Sequence, residues 1–172
     1  MLSGIKIGRQ TWLWFALALL VLVADQLTKN LIVAQFSYGS SETITSFFNL
    51  VRVHNYGAAF SFLDNEGGWQ RWGFSIFATI ISLVILVWIT RLTPQQKLEG
   101  CALALILGGA LGNLYDRITL GYVVDFLDFH WSGMHFPAFN IADSGISVGA
   151  VLIILDSFLN KSPNNQDSAE KD

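Results

Sequence analysis

Asn113, Asp116 and Arg117 stand at i, i+3 and i+4, a spacing that puts three polar side chains on one face of a helix. Asn140 and Asp143 stand three apart where a later apolar run begins, and Asp125 and Asp128 lie in the connection between the two. Asp25, Thr28 and Lys29 repeat the i, i+3, i+4 pattern in the outer half of the first apolar run. A charge within a membrane costs roughly 2.5–3.5 kcal/mol at a helix centre on insertion scales, and less near the interface. Such groups therefore usually face a protein interior and mark function. Two carboxylates held close cannot both ionise easily, so one keeps a proton at neutral pH. A half-protonated pair can take a proton from water with one member and give one to a carbonyl oxygen with the other. By spacing alone, either Asp125 or Asp128 could be the partner of Asp143.

The elements that must carry these groups are apolar helices. Of 172 residues 52% are hydrophobic and 13% charged, with a mean hydropathy of +0.47. Soluble domains carry roughly 25% charged residues, so the composition is that of an integral membrane protein. The net charge of −3 gives no reason to expect a nucleic-acid partner. A single cysteine, Cys101, excludes an internal disulfide and reads as a small packing residue. Four segments approach the roughly 20 residues needed to cross a bilayer: 12–34, 72–90, 98–119 and 141–159. Lys6 and Arg9 before the first run suggest a cleaved signal peptide, but the apolar pattern continues past Asp25 and Lys29 through Val33. An uncleaved first span is expected.

Orientation follows the basic residues. Lys6, Arg9, Arg91, Lys97, Lys161 and Lys171 fall on one side, which predicts cytoplasmic termini and a polar site at the outer leaflet. Lys29, Arg52, Arg71 and Arg117 fall outside, and of these Lys29 and Arg117 belong to the polar blocks. With this topology, spans one, three and four bring polar faces to one level. Span two offers only Ser75 there and reads as scaffold. Between spans one and two, at about 35–71, Val51 and Val53 alternate with Arg52 and His54. That is a strand period, with a turn at Asn55-Tyr56-Gly57 and a second short run after it. A small β-rich lobe on the membrane surface is expected, followed by a loop over 64–69. Ala104, Gly108 and Gly112 at four-residue spacing predict close helix packing. Residues 1–160 read as one four-span domain, and 161–172 as a polar, disordered tail.

GNLYDR (112–117), VVDFLDF (123–129), FNIADS (139–144), DQLTK (25–29) and NYGAAFS (55–61) together resemble the signature blocks of lipoprotein signal peptidase, signal peptidase II. They cover most of the chain in family order. The resemblance implies a multi-pass enzyme of the bacterial inner membrane with its active site at the periplasmic face. It implies hydrolysis of a prolipoprotein just before the diacylglyceryl-modified cysteine, with no cofactor. It also implies that Asp125 and Asp143 are the catalytic pair of an aspartyl protease, and favours Asp125 over Asp128. Asn113, Asn140 and Arg117 are then expected to orient the carboxylates, Asn55 to hold the substrate backbone, and Asp25 and Lys29 to support the site or touch substrate. Asp116 reads as a structural partner of Arg117 or Lys29. Membrane lipids are expected neighbours, and the chain is expected to be a monomer.

Two other patterns compete. Gly145-Ile-Ser147-Val-Gly149 matches G-x-S-x-G, but that motif needs a strand–turn–helix context, and here it falls inside an apolar helix. His54, His130 and His135 could suggest a metal, yet no close His/Cys/Glu spacing or H-E-x-x-H is present. Without the resemblance, a small proton-coupled transporter or channel subunit would rival a peptidase, with the carboxylates as a relay. Transporters place ionisable groups near the midplane, whereas these cluster at one end. A structural assembly factor is a third reading, and would tolerate Asp-to-Asn changes.

Overall fold

The computed structural model describes residues 8–57 and 68–159. Lys6, the short run after Gly57, most of the 64–69 loop and the 161–172 tail lie outside the described residues. Four helices are long and apolar enough to cross a membrane: α1 (Arg9–Gln35), α2 (Trp69–Ile89), α3 (Lys97–Thr119) and α4 (Ile141–Leu159). At 1.5 Å per residue each spans or nearly spans the roughly 30 Å hydrocarbon layer. The boundaries follow the apolar runs to within three residues at either end.

Helix α3 is the hub, packed against α1, α2 and α4. Its small residues make this possible. A Cβ at Gly108 would lie 2.5 Å from the Ala18 carbonyl oxygen of α1, and one at Gly112 2.6 Å from Oδ2 of Asp25. Gly109 meets the Ala142 carbonyl of α4 with no room for a side chain. In return Gly145 and Gly149 of α4 sit against the main-chain oxygens of Leu105 and Ala102. The glycines of the G-x-S-x-G match are thus packing contacts, and Ser147 lies on the exposed side of the helix. Leu103, Ala104 and Leu107 form the apolar core with Ala18 and Ile85. Outward faces carry exposed Leu20, Phe77, Val151 and Phe158, as expected where lipid rather than water is the solvent.

The lobe is an antiparallel sheet in the order β1 (Ser41–Thr45), β2 (Phe48–Asn55), β3 (Val123–Trp131) and β4 (Met134–His135). It draws on two connections. The 35–71 segment supplies β1 and β2, while β3 and β4 come from the link between α3 and α4 that holds Asp125 and Asp128. The alternation read at 51–54 is β2. Val53 pairs with Asp125, and Asn49 with Asp128. Val124 and Phe126 pack on Ile32 near the end of α1, seating the sheet on the helices. At the opposite end, Gln10 of α1 donates to the Pro94 carbonyl in the α2–α3 loop at 3.3 Å, so the start of α1 and that loop share one side.

Arg52 and Arg71, the two arginines expected outside that the polar blocks leave unexplained, have one local use, since each satisfies the orphan carbonyls of a helix C-terminus. Arg52 of β2 donates to Val33 and Phe36 at the end of α1, at 3.2 and 2.8 Å. Arg71 of α2 donates to Arg117 and Ile118 at the end of α3, at 2.8 and 2.6 Å.

Candidate active site

The second half of α1, the end of α3, the start of α4 and strand β3 converge at the sheet end of the bundle. Asp125 is supplied by β3, and both its oxygens are met by amides. Asn140 Nδ2 donates to Oδ1 at 2.7 Å, and Asn55 Nδ2 donates to Oδ2 at 3.0 Å. Asp143 is in the first turn of α4, where an acid suits the helix dipole, and its Oδ1 accepts from Asn113 Nδ2 at 2.7 Å. Asn140 caps that helix, its Oδ1 accepting the Asp143 N–H at 2.9 Å. One asparagine therefore holds the Asp125 carboxylate with one end of its amide and the Asp143 main chain with the other.

A buried charge cluster stands behind the amides. The Lys29 ammonium donates to Asp25 Oδ2 at 2.8 Å, Asp116 Oδ2 at 2.9 Å and Asn113 Oδ1 at 2.9 Å. Those three bonds use all three hydrogens of an ammonium. They also fix the Asn113 amide, since its oxygen faces Lys29 and its nitrogen must face Asp143. Asp25 Oδ1 accepts the Ala142 N–H of α4 at 2.9 Å, and Asp116 Oδ2 accepts the Val124 N–H, next to Asp125, at 3.3 Å. Asp25, Lys29 and Asp116 are all 2% exposed or less, so solvent does little to weaken these contacts.

Burial pushes Asp125 up to about 7, and the charge of Asp143 adds to the rise against the pull of the Asn55 and Asn140 amides and Lys29. A carboxyl that titrates near neutral pH can either hold or accept a proton there. Asp128 differs. Burial alone would raise it, but the Asn49 amide at 2.8 Å and His135 Nδ1 at 2.9 Å hold it below its ordinary value. It belongs to a separate network on the sheet.

The eight residues expected in the site from the resemblance (Asp25, Lys29, Asn55, Asn113, Arg117, Asn140, Asp125 and Asp143) join one hydrogen-bonded assembly. Asp116 pairs with Lys29, one of its two expected partners. Thr28 does not enter the cluster, and its hydroxyl donates to Ala24 and Asp25 carbonyls of its own helix. Gln26 was missed. Its amide donates to Asp116 Oδ1 at 2.9 Å, and to Gly112 O and Asp25 Oδ2 at 3.2 Å. The i, i+4 relation of Gln26 to Asn30 carries no charge pattern to flag it. Of the histidines, His54 is stacked on Tyr122 at 3.7 Å and against Tyr38 at 4.3 Å. Burial, then the charge of Arg52, lowers its pKa. His130 and His135 stack at 5.1 Å on paired strands.

Residues 17–159 match the family described as Signal peptidase (SPase) II. The chain is 51% identical over 158 residues to a lipoprotein signal peptidase of Shewanella loihica, covering 91% of this chain and 93% of that one. It is 54% identical over 143 residues to one from Burkholderia vietnamiensis, covering 83% and 86%. A bacterial membrane enzyme solved by the in meso method at 2.3 Å superposes with a TM-score of 0.77 at 33% identity, over 92% of this chain and 94% of that one.

Proposed function

The chain belongs to the signal peptidase II family, a family of membrane peptidases that remove signal peptides from prolipoproteins, and on that premise we propose that it is an aspartic endopeptidase whose catalytic pair is Asp125 and Asp143. The observation that carries the reading is a buried Asp125 and a half-buried Asp143 that feel each other's charge, each held by an asparagine amide, with Asp125 poised near neutral pH. The substrate is the lipidated precursor, cut just before the diacylglyceryl cysteine. The ionised member of the pair takes a proton from water, and the water oxygen attacks the scissile carbonyl. The protonated member gives its proton to the carbonyl oxygen. When the C–N bond breaks, the proton taken from water passes to the leaving amine and one diol hydroxyl returns its proton to the other carboxylate, which restores the half-protonated pair. The pair titrates as a unit, so base and acid are roles of the pair. The chemistry calls on no cofactor. The chain works as a monomer among membrane lipids, with both termini in the cytoplasm and the pair at the periplasmic face.

The direct test is cleavage of a purified lipidated precursor by the chain in detergent, with no metal added. Ser147→Ala should keep substantial activity, because Ser147 is exposed on an apolar helix and the flanking glycines are packing contacts, and EDTA should leave the rate unchanged. Complete loss in either experiment would point instead to a serine or a metal centre. Topology is checked by accessibility labelling of single cysteines. A cysteine at Gly133 should label from outside and one at Thr93 from the cytoplasm. Cytoplasmic labelling at Gly133 would remove the site from the periplasmic face.

A further inference from the structure

Helix α2 reads as scaffold in the sequence, yet it grips the site at second hand. The Arg117 guanidinium donates from Nη2 to the Gly57 carbonyl at 2.8 Å. Gly57 N–H in turn donates to Oδ1 of Asn55 at 3.0 Å. With its oxygen so engaged, the Asn55 amide presents Nδ2 to Asp125 Oδ2, also at 3.0 Å. Two residues of α2 hold the arginine in place. Arg71 donates from Nε and Nη2 to the main-chain oxygens of Arg117 and Ile118, and the Arg117 guanidinium lies 5.4 Å from the centre of the Phe74 ring, within cation–π range.

We propose that Arg71 is a positioning residue for the carboxylate pair, clamping the end of α3 so that Arg117, Gly57 and Asn55 stay in the arrangement in which Asn55 donates to Asp125. The proposal rests on reading Asp125 as one of the catalytic pair. An amide has two ends of opposite polarity. If the Gly57 N–H no longer holds the Asn55 oxygen, the amide can turn and set that oxygen against the carboxylate. Apart from the Arg117 charge, which α2 also steadies, the other groups that act on Asp125 do not pass through α2. Asp143 and Asn140 come from α4 and its cap and Lys29 from α1, while Asp116 holds the adjoining Val124 N–H. Loss of the Asn55 bond would therefore act on one carboxylate oxygen with the rest of the cluster in place. A carboxylate that loses a donor to its ionised form becomes a weaker acid.

The test is the pH dependence of cleavage of a lipidated prolipoprotein peptide by the full chain purified in detergent. Arg71→Met should lower kcat about tenfold, the lower end of what a hydrogen bond to a charged group is worth, with KM little changed. Its pH–rate profile should move upward by about half a unit, both limbs together, because the pair titrates as a unit. Asn55→Ala should move the profile the same way. The Arg71→Met/Asn55→Ala double variant should be no worse than Asn55→Ala, since both act through one bond. Arg71→Lys should recover part of kcat, because one ammonium cannot span two carbonyls as a guanidinium does. If Arg71→Met folds poorly, Phe74→Leu should give a weaker form of the same displacement. A folded Arg71→Met or Phe74→Leu with an unmoved profile would overturn the proposal, as would an unmoved profile in Asn55→Ala or fully additive losses. Retained activity in Asp125→Asn would instead overturn the catalytic pair, so the two failures are distinguishable.

Discussion

Asp125→Asn and Asp143→Asn should each abolish turnover while the protein still folds and inserts. Asparagine is nearly isosteric with aspartate but cannot take a proton from water. General acid–base assistance is typically worth 10²–10⁴-fold, and loss of the group that activates water should fall at the upper end or beyond. The fold should bear the change at a modest cost. At position 125 the new amide can accept from Asn140 or Asn55 but not from both, because its nitrogen then faces the other donor. One mismatched buried donor costs about 1–3 kcal/mol, visible as a lowered melting point in detergent. The double variant should be scarcely worse than either single, since residues that act as a unit are non-additive. Asp128→Asn should keep measurable cleavage, because Asp128 answers to Asn49 and His135 on the sheet. A dead Asp128→Asn beside an active Asp125→Asn would mean the wrong carboxylate has been named.

Much of this was legible in the chain, for identifiable reasons. Spans show as long apolar runs because a bilayer demands them, and Gly108 and Gly112 show as small residues because α1 lies against them. The polar residues of α1 and α3 could be grouped since i, i+3 and i+4 positions share a face whatever the rest of the fold does. Strand β3 was less visible. VVDFLDF shows no alternation of the kind that exposed β2, because Val123 to Phe126, Asp125 included, are all buried. Its partner lies about seventy residues earlier in the chain, and no local pattern reports such a pairing. The same limit hid Arg71. Its bonds run to main-chain carbonyls of another helix, which have no side-chain signature to complement. Only its expected place as a cation on the side that the basic residues disfavour hinted at a use.

Lys29→Met should be the most damaging single change to the fold of the site. Lys29 is the cation shared by Asp25 and Asp116, in a cluster almost closed to solvent. Its removal leaves two buried carboxylates without that partner, and breaking a buried ion pair from one side costs about 3–5 kcal/mol. Loss of the ammonium also frees the Asn113 oxygen, so the amide that donates to Asp143 is no longer fixed. Cleavage should fall below detection, and the detergent melting point should drop on the order of 10 °C. Charge and orientation can then be separated. Lys29→Met combined with Asp25→Asn and Asp116→Asn removes the uncompensated charges, and replacing a whole buried ionic cluster is often close to neutral. That triple variant should regain most of the lost stability. Cleavage should stay impaired, because nothing restores the hydrogen bond that orients Asn113. A Lys29→Met protein as stable as the wild type would show that the cluster does not depend on its cation. A triple variant that recovered full activity would show that Lys29 acts through charge balance alone, with no part in holding Asn113 to Asp143.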